Sequence, residues 1–459
     1  MNICILGNNL EAWTLAAGLS STGFGVSIDQ SCLPGENSEI AEPDLLLLLE
    51  ARLSEGRITL AGSTDVNCKC CSILIDARSS LPLEEHFSAL ENFVRSAEHN
   101  ESTHERIFFA LVQSVAVGTT SKLQARVDRY LADNEINLDV DCIYWPSFIE
   151  AGRALQSFTK SERIIIGCSS GQAATFIQQL MSPFNRSKDV SLVMQPSEAE
   201  LTKIAINGML ATRISYMNEL ADLATHQGVD IEPVRQGMGA DSRIGHHYLY
   251  PGCGFGGDSF LRTLDYLQYE LTESQIESDC NKKRGRRVSS GDVRGLGLLQ
   301  SVRSINTNQK DLLFQKFWRY FKADLENKKV ALWGAAFKPN TSSISGSPAL
   351  TLLRALVSHH VHVNIFDPMA VNSLQTWLLS ENDLSQEYIH FCHSPEEAAH
   401  HADAIMLVTE WQILWNLNLS KIAENMRIPL LLDGRNVYQP FLAEQAGFVY
   451  SGIGRGLAI

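Results

Sequence analysis

The chain reads as an α/β protein built from two doubly wound units with helices between them. Three patterns predict this. Residues 1 to about 195 alternate short β-branched runs with helical patterns, as a parallel sheet with crossover helices requires. The expected strands are Asn2–Leu6, Val26–Asp29, Ser72–Asp76, Ile107–Val112 and Arg163–Gly167. From Ser197 to about Leu271 apolar residues recur at helical spacing, and Ser197-Glu-Ala-Glu200 offers an N-cap with an acidic first turn. A second alternating block opens near Lys329, with strands expected at Val330–Gly334, Val361–Asp367, Ala404–Thr409 and Leu430–Asp433.

The bulk properties agree with a globular protein of several domains. There are 459 residues, 44% hydrophobic and 20% charged, with a formal net charge of −14. Such a surface repels nucleic acid and anionic membranes, so neither is expected as a partner. The run Leu45–Leu49, flanked by Asp44 and Glu50, reads as part of a buried helix. No apolar run approaches the roughly 20 residues of a membrane span, and a strand-like segment opens the sequence, so neither a membrane span nor a signal peptide is expected. Ten cysteines without a secretion signal point to reduced thiols in the cytoplasm. Cys68, Cys70 and Cys71 lack a second ligand pair at zinc spacing, and no metal site is expected. The basic stretch Asn281-Lys-Lys-Arg-Gly-Arg-Arg-Val-Ser-Ser290, with its cations at 282–287, reads as a solvated insertion.

Gly7-Asn-Asn-Leu-Glu-Ala12 follows the first strand and opens a helix. This is the context of the dinucleotide fingerprint G-x-G-x-x-G/A. Gly7 and Ala12 fit it. Asn9 stands where a glycine normally lets the backbone approach a pyrophosphate. Asparagine tolerates left-handed backbone angles, which would preserve the turn. Asp29 lies about 20 residues on, suited to an adenosine ribose. Two outcomes follow: a working cofactor site, or a dinucleotide fold with an altered one.

Tyr250-Pro-Gly-Cys-Gly-Phe-Gly-Gly-Asp-Ser-Phe260 is the most informative stretch. It resembles the catalytic loop of the UDP-glucose/GDP-mannose 6-dehydrogenases, G-F-G-G-S-C-F-P-K-D. Leu201-Thr-Lys-Ile-Ala-Ile-Asn207 resembles the K-x-x-x-N helix of that family, and Asp241-Ser-Arg-Ile-Gly245 its R-I-G. Trp333-Gly-Ala-Ala-Phe-Lys-Pro-Asn-Thr341, Ser347-Pro-Ala-Leu350, Asp367-Pro368, Val408-Thr-Glu-Trp411 and Asp433-Gly-Arg-Asn436 continue the match in family order. The resemblance implies two Rossmann-like domains joined by a central helical dimerisation domain, divided here at 1–195, 196–320 and 321–459. It implies NAD as cofactor, held by Gly7, Asn9, Ala12 and Asp29, and UDP-glucose as substrate. It implies Lys203 and Asn207 on the reacting sugar oxygen, with Tyr248, Phe255, Gly256, Lys338 and Arg435 on the nucleotide sugar. Arg243 would complete the neighbouring subunit's site in a homodimer.

The family reaction oxidises a primary alcohol to a carboxylate through a cysteine thiohemiacetal and thioester. Here Ser259 stands at the cysteine position, and a hydroxyl without an adjacent base is a poor nucleophile. Thr263 replaces an aspartate. Ser147, in Pro146-Ser-Phe-Ile-Glu-Ala-Gly152, replaces a glutamate, and Val115, in Ser114-Val-Ala-Val-Gly-Thr119, a threonine. Ser342, Ser343 and Ser345 stand where the family carries two acids and an arginine. The Thr-Pro expected after the next strand is absent from Ile73-Leu-Ile-Asp-Ala-Arg-Ser-Ser80, and the stretch from Asp29 to Glu42-Pro43 is shorter than in the family. Cys253, Asp258, His246 and His247 are the nearby groups that could substitute chemically. Three readings stand: a nucleotide-sugar-binding protein with impaired oxidation, a working NAD-dependent dehydrogenase, and an interaction subunit paired with an intact paralogue.

Overall fold

The computed structural model describes residues 2–30, 32–35, 42–61, 71–78, 82–98, 106–186, 189–282, 297–381 and 384–459, without side chains at 43 and 271–282. The basic residues 283–287, with Cys68 and Cys70, lie outside the described residues. The chain divides into two compact units, Met1–Ile206 and Asn207–Ile459.

The first unit is built on eight strands: β1 (Asn2–Leu6), β2 (Gly25–Ile28), β3 (Ile58–Leu60), β4 (Cys71–Asp76), β5 (Arg106–Leu111), β6 (Asp139–Tyr144), β7 (Ile164–Gly167) and β8 (Ser191–Met194). Their order is β3-β2-β1-β4-β5-β6-β7-β8. Every neighbouring pair is parallel except β6 and β7, which meet antiparallel at Tyr144 and Gly167. Successive strand residues face opposite sides. Ile3, Ile5, Ile73 and Ile75 therefore join one buried cluster, and Cys4, Leu6 and Leu74 another. The helices α1 (Leu10–Ser20) and α2 (Pro43–Ser54) supply the first face; α3 (Leu83–Glu98) and α4 (Thr119–Asp133) supply the second. Short helices α5 (Ala154–Thr159) and α6 (Gly171–Met181) add Phe158 and Ile177 to the first cluster. Both sheet faces are covered, which is why the strands read as continuous apolar runs.

Helix α7 (Pro196–Gln227) begins in the first unit and continues into the second. It starts one residue before the expected cap. Ser197 lies inside the first turn, and the Gln195 N–H donates to the Glu198 carboxylate at 2.9 Å, so Glu198 is the capping group. The expected buried helix around Leu45–Leu49 is only half buried: Leu45 and Leu49 are covered, whereas Leu47 is 67% exposed.

In the second unit α8 (Ile231–Ala240), α9 (Asp258–Lys282) and α10 (Gly297–Tyr320) precede a six-stranded parallel sheet. Its strands are β9 (Lys329–Trp333), β10 (His362–Phe366), β11 (Ile389–Phe391), β12 (Ala404–Leu407), β13 (Leu430–Asp433) and β14 (Val449–Gly452), in the order β11-β10-β9-β12-β13-β14. The order reverses between β9 and β12, where an open parallel sheet offers a ligand crevice. Asp367 stands there, 4% exposed. One oxygen accepts from the N–H groups of Ala335 (2.7 Å) and Ala336 (3.0 Å) and from Trp411 Nε1 (3.0 Å). The other accepts from Met369 N (2.9 Å) and Ala370 N (2.7 Å). Among the described residues no helix is long and apolar enough to cross a membrane.

Candidate active site

The loop Tyr250–Gly257 is held to its unit by backbone-directed bonds. Gly252 N donates to Asn218 Oδ1 (2.8 Å), and Cys253 N to Gly434 O (2.8 Å). Asn306, on α10, clamps Phe255 twice, accepting from its N–H at 2.8 Å and donating to its carbonyl at 3.1 Å. Gly257 N donates to Ser345 O at 2.8 Å. A Cβ on Gly256 would lie 2.8 Å from the Gly346 backbone and from Phe337 Cβ, so only glycine permits this approach. Sequence reading missed Asn218 and Asn306. Their signal is a buried amide on an otherwise apolar helix face, which a motif search does not weigh.

Ser259 lies in the first turn of α9 and is exposed. Asn207 Nδ2 donates to Ser259 Oγ at 3.1 Å and to Thr263 Oγ1 at 3.2 Å. Thr263 Oγ1 in turn donates to Ser259 O at 2.7 Å. The second unit thus offers Ser259 an amide donor, and among the described residues no histidine or carboxylate of that unit bonds to its hydroxyl. The substitute groups are committed elsewhere. Cys253 is fully buried and burial pushes its thiol pKa up, which disqualifies it as a nucleophile. Asp258 bonds to Ser345 Oγ. The ring of His246 fills the space where Gly239 lacks a Cβ.

Arg435 is mostly covered. Its Nε donates to Val408 O at 2.6 Å and stands 3.3 Å from Glu410. Lys338 is partly exposed, with its ammonium 5.7 Å from the Phe337 ring centroid. Arg243 is 86% exposed and paired with Asp241 at 2.6 Å. Tyr248 sits at φ 60°, with its ring 6.2 Å from that of Phe260.

In the first unit Lys203 is 8% exposed. Its Nζ donates to Ser147 O at 2.5 Å and lies 4.3 Å from the Phe148 ring centroid. Arg163 lies 4.5 Å from the same centroid. The Ser147 hydroxyl accepts from Ile149 N at 3.2 Å, and Val115 packs against the second sheet face. Burial pushes the Lys203 pKa down to about 8, and Arg163 adds to the fall while Glu11 opposes it. Nearby Glu200, fully buried, accepts from Gly118 N, Thr120 N and Thr120 Oγ1 and so caps α4.

The dinucleotide turn is closed by its own side chains. Asn9 is extended, at φ −122° and ψ 174°, and not left-handed. It caps α1: Oδ1 accepts from Ala12 N at 3.0 Å, and Nδ2 donates to Ala77 O at 2.6 Å. Ala77 follows β4, so the amide spans the crevice between β1 and β4, where the strand order reverses. Asn8 Oδ1 accepts from Trp13 Nε1 at 2.9 Å. An anion at this helix N-terminus would compete with Asn9 Oδ1 for the Ala12 N–H. The ribose end offers a carboxylate. Asp29 directly follows β2, and one of its oxygens is buried without a partner among the described residues. Burial raises its pKa, with Arg78 opposing. Arg78 itself is held by Asp76 at 2.7 Å, as is His86 at 2.8 Å.

Replacing Lys203 by methionine tests the cost of its burial. A pKa lowered on folding means that the unfolded chain binds the proton more tightly. The penalty is therefore present below pH 8 and is relieved as pH rises toward the unfolded value of about 10.5. Urea unfolding is expected to show Lys203→Met favoured at pH 7 by up to about 3 kcal/mol. That difference should shrink by pH 10.

Comparison with known proteins follows the same three segments. Residues 1–185 match the NAD binding domain of the UDP-glucose/GDP-mannose dehydrogenase family, 197–285 its central domain and 331–440 its UDP binding domain. A UDP-glucose 6-dehydrogenase of Pseudomonas aeruginosa is 32% identical over 466 aligned positions, covering 99% of this chain and 98% of the relative. The Bacillus subtilis UDP-glucose 6-dehydrogenase YwqF is 27% identical, with coverage of 99% and 98%. Among solved structures, a UDP-glucose dehydrogenase of Pyrobaculum islandicum superposes with a TM-score of 0.78 at 25% identity, covering 99% of this chain and 97% of that one. A UDP-D-ManNAc dehydrogenase of Pyrococcus horikoshii gives a TM-score of 0.74 at 22% identity over the whole of both chains. With all three domains matched in order and a relative above 30% identity along its full length, this chain is a member of the UDP-glucose/GDP-mannose dehydrogenase family.

Proposed function

We propose that this family member binds a nucleotide sugar, UDP-glucose foremost, and oxidises it poorly or not at all. One observation carries the reading: among the described residues of its unit, Ser259 meets an amide donor, Asn207 Nδ2, and no base. A hydroxyl that accepts a hydrogen bond is held in position but is not deprotonated. Thiolate chemistry needs no such help. Thr263 shares the same amide and offers no carboxylate to manage a water. In the first unit Ser147 binds Ile149 N and brings Lys203 a carbonyl in place of a carboxylate. General acid–base help is worth roughly 100- to 10,000-fold per group.

In this reading residues 1–195 retain a cofactor fold, 196–320 serve dimerisation and the reacting end of the sugar, and 321–459 hold the nucleotide. Lys338 and Arg435 supply cations, and Phe255, Gly256 and Tyr248 line the sugar. NAD, when bound, would supply the hydride acceptor. Gly7, Ala12 and Asp29 favour it and the Asn9 amide opposes it. Calorimetry is expected to give measurable UDP-glucose binding and weak NAD binding, with Asn9→Gly tightening NAD at least tenfold. Tight NAD binding by the wild type without UDP-sugar affinity would reverse this reading.

We further propose a homodimer. Met209, Tyr216 and Leu223 recur every seven residues on α7 and are 62%, 52% and 54% exposed. An apolar stripe of this kind suits a partner helix, and Arg243, exposed beyond it, suits the partner's site. Sedimentation equilibrium is expected to give twice the chain mass of 50.9 kDa, and Tyr216→Glu to shift it toward monomer. Co-purification with an intact relative instead would favour the interaction-subunit reading.

Ser259→Cys is expected to yield only a slow gain in NADH formed from UDP-glucose. Ser147→Glu, Thr263→Asp and Asn9→Gly should each be needed for more. Two NADH per sugar at about 1 per second or faster from the wild type would sink the impaired-enzyme reading.

A further inference from the structure

Three metal-ligating side chains converge on the outer edge of the second sheet. His390 is the middle residue of β11, the edge strand, and Cys392 follows the last one. Cys392 N donates to Ile365 O at 2.8 Å, which continues the pairing with β10. Residues two apart on extended chain project to the same side. Glu397 stands in the short helix Pro395–Ala399 that comes next. A nitrogen of His390, the Cys392 Sγ and an oxygen of Glu397 all lie within 4.8 Å of one another. His390 and Glu397 are exposed, whereas Cys392 is 6% exposed. Strands β10 and β9 separate this edge from the crevice at Asp367.

The helix that carries Glu397 is fixed from several sides. Trp333 Nε1 donates to Pro395 O at 3.1 Å, and Asn364 Nδ2 to Ala398 O at 3.0 Å. Ser394 Oγ accepts from Glu397 N at 3.0 Å, and the Glu397 carboxylate accepts from His393 N at 2.8 Å. That last bond occupies one carboxylate oxygen and orients the group, as an outer partner of a metal ligand does. The other oxygen and the His390 ring take no hydrogen bond among the described residues. Helix capping accounts for Glu397 and packing for Cys392, but neither accounts for an imidazole converging on both.

A sulfur, an imidazole nitrogen and a carboxylate oxygen form the donor set of zinc-like ions, whereas magnesium and calcium take oxygens. Bonds of about 2.0–2.3 Å to such an ion place tetrahedral donors roughly 3.3–3.8 Å apart, a spacing that small side-chain rotations reach from the one seen here. Burial raises the Cys392 pKa to about 11; Glu397 adds to the rise and Lys329 opposes it. The thiol proton therefore leaves to solvent as the sulfur–metal bond forms.

Against the expectation of no metal site, we infer that His390, Cys392 and Glu397 bind a borderline-soft divalent cation of the zinc class. They supply imidazole, thiolate and carboxylate, and a fourth position stays open to water. The ion ties the edge strand to the helix that follows. That strand has three residues and pairs on one side only, with β10, so it has few other ties.

The test uses the full chain, stripped with a chelator and kept reduced, with Co²⁺ as the spectroscopic probe and Zn²⁺ as its competitor. Cobalt is expected to give a thiolate-to-metal charge-transfer band that saturates at a single ion per chain and is bleached by zinc. Cys392→Ser should abolish the band. His390→Ala and Glu397→Gln should each weaken zinc by about tenfold or more, read by competition with a chromophoric chelator. Glu397→Gln keeps an acceptor for the His393 N–H, and His390 is exposed, so these two variants decide the matter if Cys392→Ser fails to fold. A wild type without the band at millimolar cobalt would overturn the inference. So would a band that survives Cys392→Ser, which would place the ion on other thiols such as the exposed Cys32. Zinc affinity unchanged in both His390→Ala and Glu397→Gln would overturn it as well. None of these measurements reads nucleotide-sugar binding, so the metal site stands or falls separately from it.

Discussion

The crevice of the second sheet hangs on the Asp367 carboxylate. Three segments bring donors to it: the turn after β9, the turn after β10 and the Trp411 indole beyond β12. A neutral group of the same shape offers fewer acceptor sites for donors converging on one point. With these turns fixed, Phe337 and Gly346 present the surface on which Gly256 and Gly257 settle. Asp433 repeats the device one strand further on, accepting from Arg435 N, Tyr438 N and Tyr450. The loop that carries Ser259 into its helix is thus placed by carboxylates that never meet the reacting atoms.

The two units treat their helix N-termini differently from the way an anion site would. In the first unit the open N–H groups of α1 and α4 are satisfied by protein: Asn9 on one, Glu200 on the other. A helix end that satisfies itself gains roughly 1 kcal/mol of stability and gives up its attraction for phosphate. The second unit does the same: the side chains of Asp230, Ser347, Ser394 and Asn418 each accept an N–H from the first turn of the helix that follows.

Much of this was legible in the residues. Val330, Leu332, Ile405, Met406 and Leu431 sit in short β-branched or apolar runs, and their strands were predictable to within about two residues at each end. The strands β3, β6, β8, β11 and β14 were not. Leu192 and Val193 of β8 are both 51% exposed, so no burial alternation marks that edge. Asp139 and Asp141 break the apolar pattern of β6, because they answer Arg106 of the neighbouring strand. Ser259, Ser147 and Thr263 could be singled out in the sequence because the motif that they resemble names another residue at each position. What a motif cannot carry is direction. Nothing in the string Gly7-Asn-Asn says that Asn9 turns its amide back onto Ala12 and Ala77, or that Asn306 clamps a phenylalanine 51 positions away.

The extended backbone at Asn9 separates what the main chain does at this turn from what the side chain does. A residue at φ −122° occupies ground open to every amino acid, so the path of the chain here makes no demand for asparagine. The cap on Ala12 and the bond to Ala77 belong to the side chain alone. The two can therefore vary independently: a substitution at this position would remove both bonds and ask no new backbone angle of the turn.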